Sequence, residues 1–462
     1  MSIENNDYPE GKELQTRVRA RHRSGLTWRI VFQISTIVGI IALMALLFNI
    51  TNQAFGLVAV ENEVEPQSLV RSYQEAQGPE TSAATADSEL QLEDLPTEVL
   101  VSILANYINE GVGRRLEREQ RFFDDYLVFE VADLYVAACA GESPPPGCTM
   151  DARSHQDIYQ LVLERVVQPD VKQTWSLFDS IFRREMVMAQ ALEEFPDAKI
   201  EFRNWLTPGF VSSAQNPQPE IAGVRTAILG SLWVILITVL FSFPVGVGAA
   251  IYLEEYAAAN RLNRLIQTNI NNLAGVPSII YGMLGLAIFV RVLEVLTSGA
   301  ALGASDPTTA NGRTILSAGL TLGLLILPIV IINAQEAIRA VPGSLRQASL
   351  GLGATRWQTI WSHVLPSALP GILTGAILSM SRAIGETAPL VVVGASTFIT
   401  VDPSGPFSKF TTLPIQIYQW TSRPQGEFRN IAAAAIIVLL ILLLGLNAGA
   451  VLLRNRFSKR MP

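Results

Sequence analysis

The sequence is poor in the residues on which most enzymes rely for their chemistry. Its 462 residues include two cysteines and three histidines, and charged residues make up 16% of the total. It has no GxxxxGK[ST] phosphate-binding loop, since the pair Gly11-Lys12 lacks the rest of that motif. His155 has no companions at metal-ligand spacing. These absences exclude nucleotide hydrolysis at a phosphate-binding loop of this chain, and no metal site is predicted.

Hydrophobic residues, in contrast, make up 49% of the chain and give a mean hydropathy of +0.31. This composition excludes a soluble enzyme and predicts a membrane protein. Because a helix needs about 20 apolar residues to cross a bilayer, the long apolar runs predict six transmembrane helices. They cover residues 28–50, 226–252, 272–296, 314–334, 371–398 and 431–453.

The basic residues predict how these helices are oriented. The first apolar run is too long for a signal peptide and no small-residue cleavage pattern follows it, so we expect a retained helix. With the N-terminus in the cytoplasm, the inner flanks carry 15 lysines and arginines and the short outer loops carry 4. Cytoplasmic flanks are enriched in these residues, which predicts a multi-pass protein of the bacterial inner membrane with both termini cytoplasmic.

A large hydrophilic segment, residues 51–222, follows the first predicted helix and falls on the outer side. It contains 29 acidic and 12 basic residues, a balance of −17. Such an exterior favours solubility and repels anions, so substrate capture is not assigned to it. Residues 67–93 are typical of a linker, and the apolar spacing from Pro96 onward predicts helices. Cys139 and Cys148 lie here as well, where a disulfide is expected and two free thiols are the alternative.

One charged pair lies inside the fifth predicted helix. Arg382 and Glu386 are four residues apart, so on a helix they share one face and can pair. Arg382 is about 16 Å along a helix from residue 371, which is half of a hydrocarbon core roughly 30 Å thick. Because ionisable groups are costly at that depth, the pair predicts an anion pathway, with Ser381 and Thr387 as further donors. The alternatives are an ion pair that only fixes packing, and hydroxyls that bond back to their own helix.

The stretch between the fourth and fifth predicted helices, residues 336–366, is too polar to span the membrane and favours helices. Gly351 and Gly353 interrupt it, which predicts two short amphipathic helices. Between them, Ala354, Thr355, Arg356 and Trp357 are expected to form an exposed knob. Such a knob is suited to docking on another protein.

This stretch resembles the coupling loop of ABC importer permeases, whose pattern is Glu-Ala-Ala, three residues, Gly, nine residues and Ile-x-Leu-Pro. The matching positions, at the same spacing, are Gln347-Ala348-Ser349, Gly353 and His363-Val364-Leu365-Pro366. Three residues depart from the pattern. Gln347 replaces its glutamate, Ser349 replaces its second alanine and His363 replaces its isoleucine. The resemblance implies that residues 347–349 and 353–356 dock on an ATPase subunit.

A wider resemblance, to the PstA-type permeases of phosphate-specific ABC transporters, covers about residues 208–457. It is carried by the runs YLEEYA, NINNLAGVPSIIYGMLGLAIFV, RAIGETAPLVVVGA and LPIQIYQWTSRPQGEFRNIAAAAIIVLL. The partner permease of such systems is similar in its RAIGET run but continues with Met-Ala-Val, whereas this chain continues with Ala388-Pro389-Leu390. The acidic outer segment resembles an N-terminal extension found in some members.

The resemblance implies an all-α polytopic membrane protein with the six transmembrane helices of the type I ABC importer permease fold. A large, mainly helical periplasmic insert is expected between helices 1 and 2. The implied order is a basic cytoplasmic tail (1–27), helix 1 (28–50), an acidic periplasmic domain (51–222), the permease core (223–457) and a cytoplasmic tail (458–462).

The implied function is ATP-driven import of inorganic phosphate across the inner membrane by a chain that is not itself an enzyme. The implied partners are an ATP-binding subunit dimer that uses ATP and Mg, a second permease subunit, a periplasmic phosphate-binding protein and membrane lipid. Neither a cofactor bound by this chain nor a nucleic acid is expected. The alternatives are a permease for another oxyanion, such as molybdate, sulfate or phosphonate, and a membrane sensor with an extracytoplasmic domain.

Overall fold

A computed structural model describes residues 11–76, 91–100, 102–103, 155–196, 198–258, 260–303, 312–395, 398–399 and 401–458. Cys139 and Cys148 lie outside the described residues, so the predicted disulfide stays a prediction. Within the described ranges, the helices long and apolar enough to cross a membrane are Ser24–Ala54, Arg225–Tyr256, Ile315–Arg339, Arg356–Gly385 and Gly426–Arg456. The bent pair Arg261–Leu273 and Ser278–Val292 makes a sixth if it counts as one span. The predicted polytopic, mostly helical fold is confirmed.

The first helix, α1 (Gly11–Ala54), extends beyond the first predicted span at both ends. The basic segment before Trp28 continues directly into it without a break. None of its apolar window is buried within the chain. The helix contacts the C-terminal helix Gly426–Ser458 but leaves most of its apolar side chains exposed.

The segment after α1 contains a three-stranded sheet that the sequence did not predict. The strands are β1 (Phe55–Asn62), β2 (Pro169–Thr174) and β3 (Lys199–Asn204), in the order β2-β1-β3 with both pairs antiparallel. Val58 of β1 lies opposite Thr174 of β2 and Glu201 of β3. The helices of this insert are α2 (Pro66–Ala76), α3 (His155–Val162), α4 (Leu177–Phe182), α5 (Arg184–Glu194) and α6 (Pro208–Ser212). Since α2 is helical, the predicted linker is wrong for residues 67–76.

The permease part follows the insert, and in the described residues it consists of helices and the segments that connect them. They are α7 (Arg225–Ile251), α8 (Arg261–Leu273), α9 (Ser278–Gly285), α10 (Glu294–Thr297), α11 (Ile315–Arg339), α12 (Gly343–Gly351), α13 (Arg356–Thr359), α14 (Leu365–Gly385), α15 (Ala388–Val393), α16 (Leu413–Thr421) and α17 (Gly426–Ser458). Short π-helical turns extend α7 to Tyr256, α9 to Val292 and α13 to Val364. With 67% of its apolar window buried, α11 is the central helix.

Glycines let α11 approach its neighbours closely. A Cβ atom at Gly323 would lie 2.5 Å from Cδ1 of Phe241, and one at Gly319 would lie 2.6 Å from Cγ2 of Ile237 on α7. On α14, a Cβ at Gly375 would lie 2.4 Å from Cβ of Asn333 on α11. These small residues therefore pack helices within this chain.

Two predicted spans have different bounds in the structure. The third, predicted over 272–296, is a bent pair in which α8 and α9 meet at 107° around Pro277. The fifth, predicted over 371–398, covers Arg356–Gly385, of which α14 begins at Leu365, and it ends before the separate short helix α15. Pro389 explains that end, because its ring would clash with the carbonyl of Gly385 in a continuous helix.

The insert and the permease share one hydrophobic core. Val58 and Val60 of β1 belong to the same buried cluster as Leu413 and Trp420 of α16. The cluster also includes, from both parts, Val171, Trp205, Phe210, Ala222, Val224, Ala227, Phe428, Ile431, Ala432, Ala434, Ala435 and Val438. The sheet is therefore packed on α16 and on the first turns of α17 rather than linked to them by a free tether.

Candidate functional site

Arg382 and Glu386 form the ion pair that their spacing predicted, but at the end of a helix. Arg382 lies in the last turn of α14, with its Nε 3.4 Å from Oε1 of Glu386. Glu386 follows the helix with an extended backbone (φ −76°, ψ 123°), so the two residues do not share a helix face. The Arg382 side chain is 48% exposed and that of Glu386 is 18% exposed. A solute could therefore reach the guanidinium while the carboxylate stays mostly covered.

The corrected bounds move Arg382 from the middle of the predicted helix to near the end of α14, whereas its depth in the bilayer stays a prediction. Because α14 begins at Leu365, Arg382 lies about 26 Å along it, near its far end rather than its middle. The negative end of the helix dipole faces this last turn, and it favours a cation there.

The turn that carries Arg382 is fixed by packing on the adjacent face of α14. Ser379 and Ala383, one turn apart, are each 1% exposed. Ala383 belongs to a buried cluster with Tyr281 of α9 and with Leu325 and Ile326 of α11. The guanidinium is therefore presented by a helix whose other face cannot rotate freely.

The break after Arg382 is held by a close approach of two helices. A Cβ at Gly282 of α9 would lie 2.7 Å from Cα of Pro389 and 3.0 Å from its carbonyl oxygen. Only glycine allows this contact, which seats α15 against α9. Gly282 thus has a packing role shortly after the bend at Pro277.

The two hydroxyls predicted beside the pair have different surroundings. The Ser381 hydroxyl donates to the carbonyl of Ile377 at 2.9 Å and lies 2.7 Å from Oδ1 of Asn447 on α17. It is thus engaged in the back-bonding that the sequence left as an alternative, and in a contact with another helix. The Thr387 hydroxyl has no hydrogen-bond partner in the described part of the chain and lies next to Glu386. Thr387 is the more available donor of the two.

The predicted coupling loop consists of α12, a tight turn and α13. Gly353 has a φ of +86°, a conformation that favours glycine. The turn is closed by Ser349 and Thr359, whose hydroxyl oxygens are 3.0 Å apart, and Thr355 caps α13 in a capping box with Gln358. Gln347, Ala348, Thr355 and Arg356 are exposed and Ala354 is half-buried. Ser349, in contrast, is buried and has a structural position rather than a docking one.

Large apolar side chains surround this turn, and of these the sequence predicted Trp357 but not Leu352 or Trp361. Leu352 is 90% exposed, and the exposed rings of Trp357 and Trp361 stack with their centroids 5.5 Å apart. Such a patch next to a rigid turn is typical of a surface that binds another protein.

Two acidic residues of the YLEEYA run anchor the coupling loop, and sequence reasoning missed this role. Glu254 accepts two hydrogen bonds from Arg339 at 2.7 and 2.8 Å. Glu255 accepts two from Arg346 of α12, at 2.8 and 3.0 Å, and Arg346 also donates to the carbonyls of Ile338 and Val341. The sequence did contain a signal for this role. Glu254 and Glu255 are adjacent acidic residues at the end of the second apolar run, where the other flanks carry mainly arginine.

A separate cavity of about 560 Å³ lies in the insert, and no predicted site residue lines it. The Arg203 guanidinium borders it, held by the Glu220 carbonyl at 2.7 Å and by the Trp205 ring at 4.6 Å. Burial, with a smaller contribution from the nearby Glu93, raises the pKa of Tyr159 to about 12. Burial also raises the pKa of Glu220 above its ordinary value. Among the residues that the structure describes, no cluster of histidine, cysteine and acidic side chains could hold a metal ion.

Comparisons with known proteins find relatives for the permease part of the chain. The family model of the binding-protein-dependent transport system inner membrane component matches residues 242–461. The chain is similar to the probable ABC transporter permease protein YqgI of Bacillus subtilis, with 32% identity over 52% of this chain and 81% of that protein. It is also similar to the phosphate transport system permease proteins PstA 1 of Mycobacterium tuberculosis and PstA of Xylella fastidiosa. Identities are 34% and 32%, over 53% and 52% of this chain and 75% and 78% of those proteins.

The similarity is concentrated in the part of the chain that carries the site. The matched family region contains α14, the ion pair and the whole coupling loop, whereas the insert lies outside it. With relatives above 30% identity matched over three quarters of their length, the chain belongs to the family of binding-protein-dependent transport system inner membrane components, as a PstA-type ABC transporter permease.

Proposed function

We propose that this chain is the permease subunit of an ATP-driven importer that carries inorganic phosphate across the inner membrane. The observation that carries the proposal is an accessible guanidinium, paired with a covered carboxylate, at the break between α14 and α15. The proposal is supported by relatives that are named phosphate transport permeases.

In this mechanism, phosphate displaces the Glu386 carboxylate from the Arg382 guanidinium. A guanidinium offers a planar fork of donors that matches phosphate oxygens, and it keeps its charge at any physiological pH. When phosphate is absent, Glu386 pairs with Arg382 and avoids an uncompensated charge at membrane depth. When phosphate is bound, the same carboxylate repels it and favours its release. Thr387 is placed to donate one hydrogen bond to the bound anion.

The energy for transport comes from outside this chain. An ATP-binding subunit dimer docks on α12, the Gly353 turn and α13, and it hydrolyses ATP with Mg. The contacts of Glu254 and Glu255 then pass its movement to the inner end of α7. A second permease subunit completes the pathway, and a periplasmic binding protein delivers the phosphate. The termini are cytoplasmic and the insert is periplasmic in this arrangement.

Uptake of labelled phosphate tests the proposal directly. In a strain that lacks this chain, we expect uptake to be lost and to return when the full chain is supplied. Unlabelled phosphate should compete for that uptake, while molybdate, sulfate and phosphonate should not. Stronger competition by one of these anions would identify a different substrate of the same site. Normal phosphate uptake in the deletion strain would contradict a transport role and favour a membrane sensor.

A further inference from the structure

The short helix α4 of the insert presents a row of large apolar side chains to its surroundings. Phe178, Ile181 and Phe182 are 43%, 60% and 72% exposed. Their spacing places them on one face of the helix, and the rings of Phe178 and Phe182 are in contact, with centroids 4.9 Å apart. We call these three residues the α4 face. Protein surfaces that face water rarely expose so many large apolar groups together. We therefore expect something apolar to cover this face.

The opposite side of α4 is fixed to the sheet, which sets the direction of this face. Ser180 is 5% exposed, and its hydroxyl oxygen accepts a hydrogen bond from the backbone N–H of Leu57 at 2.8 Å. The same hydroxyl donates to the carbonyl of Ser176 at 2.7 Å. The Ser176 side chain in turn caps the helix by accepting from the N–H of Asp179. Rotation of α4 that would bury its apolar face against the insert would break these bonds.

The position of α4 relative to the membrane follows from its contact with α1. The backbone N–H of Phe178 donates to Oδ1 of Asn52 at 2.7 Å. Asn52 lies in the last turn of α1, just after the apolar run that ends at Ile50, among the polar residues Asn49, Thr51 and Gln53. Polar residues at the end of a spanning helix mark the level of the lipid headgroups. The α4 face therefore lies at that level, next to the exposed apolar surface of α1.

We propose that the α4 face inserts into the headgroup and acyl-chain boundary of the leaflet from which α1 emerges. Aromatic and aliphatic side chains on one side of a helix are suited to this region. Arg183 and Arg184 follow immediately and are exposed. Arg183 pairs with Asp179 at 3.4 Å, which leaves Arg184 as the cation placed to contact lipid phosphates. The occupant is lipid rather than a protein, because three side chains fall far short of the roughly 800 Å² per partner that stable protein interfaces bury. The insert is thus held by the bilayer as well as by α16 and α17.

Spin labels on the full chain test this proposal. Cys139→Ser and Cys148→Ser remove the native thiols, and a nitroxide is attached at Phe182→Cys in nanodiscs of phosphatidylethanolamine and phosphatidylglycerol. We expect the label to collide more often with dissolved oxygen than with a water-soluble nickel complex. The matched control is Ser68→Cys, an exposed position on α2 beyond the other end of β1, where the nickel complex should dominate. A label at Phe182 that meets mostly the nickel complex, or that is shielded from both reagents by protein, overturns the proposal.

A second measurement needs no change in the α4 face. Phospholipids with a photoreactive group near the headgroup are included in the same nanodiscs with the unmodified chain. After illumination, mass spectrometry should find lipid adducts on residues 177–184 and none on α2. Adducts confined to α1, with α4 unlabelled, would contradict the proposal. Neither experiment depends on the transported substrate.

Discussion

At the scale of single residues, the position of Arg382 decides what its charge can do. The last turn of α14 places the guanidinium where the helix ends and the chain turns, and its covered partner belongs to the turn rather than to the helix. A pair whose members sit on different backbone elements can separate without unwinding a helix. This is the arrangement that an exchangeable ligand requires.

Removal of the Arg382 charge should stop transport without disrupting assembly. For Arg382→Ala, we expect loss of phosphate uptake, while the complex still assembles and hydrolyses ATP, because the side chain is about half exposed. Arg382→Lys keeps the charge but loses the planar fork, so we expect weaker and partial uptake. Labelled phosphate uptake and ATPase assays on the same membranes measure both effects. Undiminished uptake by Arg382→Ala would remove Arg382 from the pathway.

Gly353 and Gly351 offer a matched pair of substitutions in the coupling loop. Gly353→Ala forces alanine to a φ of +86° and should cost roughly 1–2 kcal/mol, although no neighbour lies within 4 Å of the added Cβ. Gly351→Ala meets equally open space without a positive φ, so it should be neutral or slightly stabilising. Co-purification of the ATPase subunit should fall for the first variant alone. Equal behaviour of the two would show that the turn geometry does not matter for docking.

From the raised pKa of Tyr159 we predict how the stability of the insert depends on pH. Its folded-state pKa of about 12 lies above the ordinary value of 10.0, so the unfolded chain loses this proton first as the pH rises. Stability should therefore fall between these two values, by about 2 kcal/mol from this group. Chemical unfolding followed by circular dichroism should show a smaller loss from about pH 9 to about pH 11.5 in Tyr159→Phe than in the wild type. Tyr418→Phe, at an exposed ring, is the control and should behave as the wild type does.

At the scale of secondary-structure elements, the end of α7 and the coupling loop act as one unit. Glu255 and Arg346 have side chains that are 12% and 24% exposed, and Arg346 also holds two carbonyls at the end of α11. A partly buried pair with this many hydrogen bonds fixes geometry, whereas an exposed one contributes little.

Substitution of Glu255 should loosen the coupling loop. Glu255→Gln leaves Arg346 without its carboxylate and should cost about 1–3 kcal/mol, less than for a fully buried pair. We expect weaker coupling, seen as ATP hydrolysis that no longer drives uptake. Glu336→Gln removes an exposed partner of Arg339 and serves as the control, with coupling unchanged. A Glu255→Gln importer with an unaltered ratio of uptake to hydrolysis would contradict the role of this anchor.

The elements also show how far a sequence can be interpreted. Spans with an uninterrupted apolar run, such as those beginning near Trp28 and Arg225, were predicted well because length and hydropathy define them. The fifth span was misplaced since apolar residues continue past Gly385, and only the clash with Pro389 ends the helix. The sheet was missed for two reasons. The strand β1 pairs with strands that lie more than 100 residues away in the sequence. In β2 and β3, polar residues at partly exposed positions hide any apolar pattern. The ion pair was predicted, but its place beyond the helix end was not.

At the scale of the whole molecule, the shared core makes the insert part of the permease. Trp420 of α16 is fully buried in the cluster that also holds Val58 and Val60 of β1. The free energy of packing that stabilises α16 and the first turns of α17 therefore also stabilises the sheet.

A single substitution in α16 should accordingly affect both parts. Trp420→Ala opens a large cavity and should cost about 3–5 kcal/mol. Limited proteolysis should then cut the insert faster and phosphate uptake should fall. Tyr418→Ala on the same helix removes a ring that is 58% exposed, so both readouts should stay near those of the wild type. An insert as resistant to protease in Trp420→Ala as in the wild type would mean that the two parts are stabilised separately.

The continuity between the sheet and α17 has a mechanical consequence. Any tilt of the N-terminal end of α17 during a transport cycle must carry the sheet with it, since sliding would open voids in a close-packed interior. The position of the insert therefore reports a movement of α17 that takes place within the membrane. A pair of fluorophores, one on the insert and one on a fixed outer loop, would report each turnover in real time.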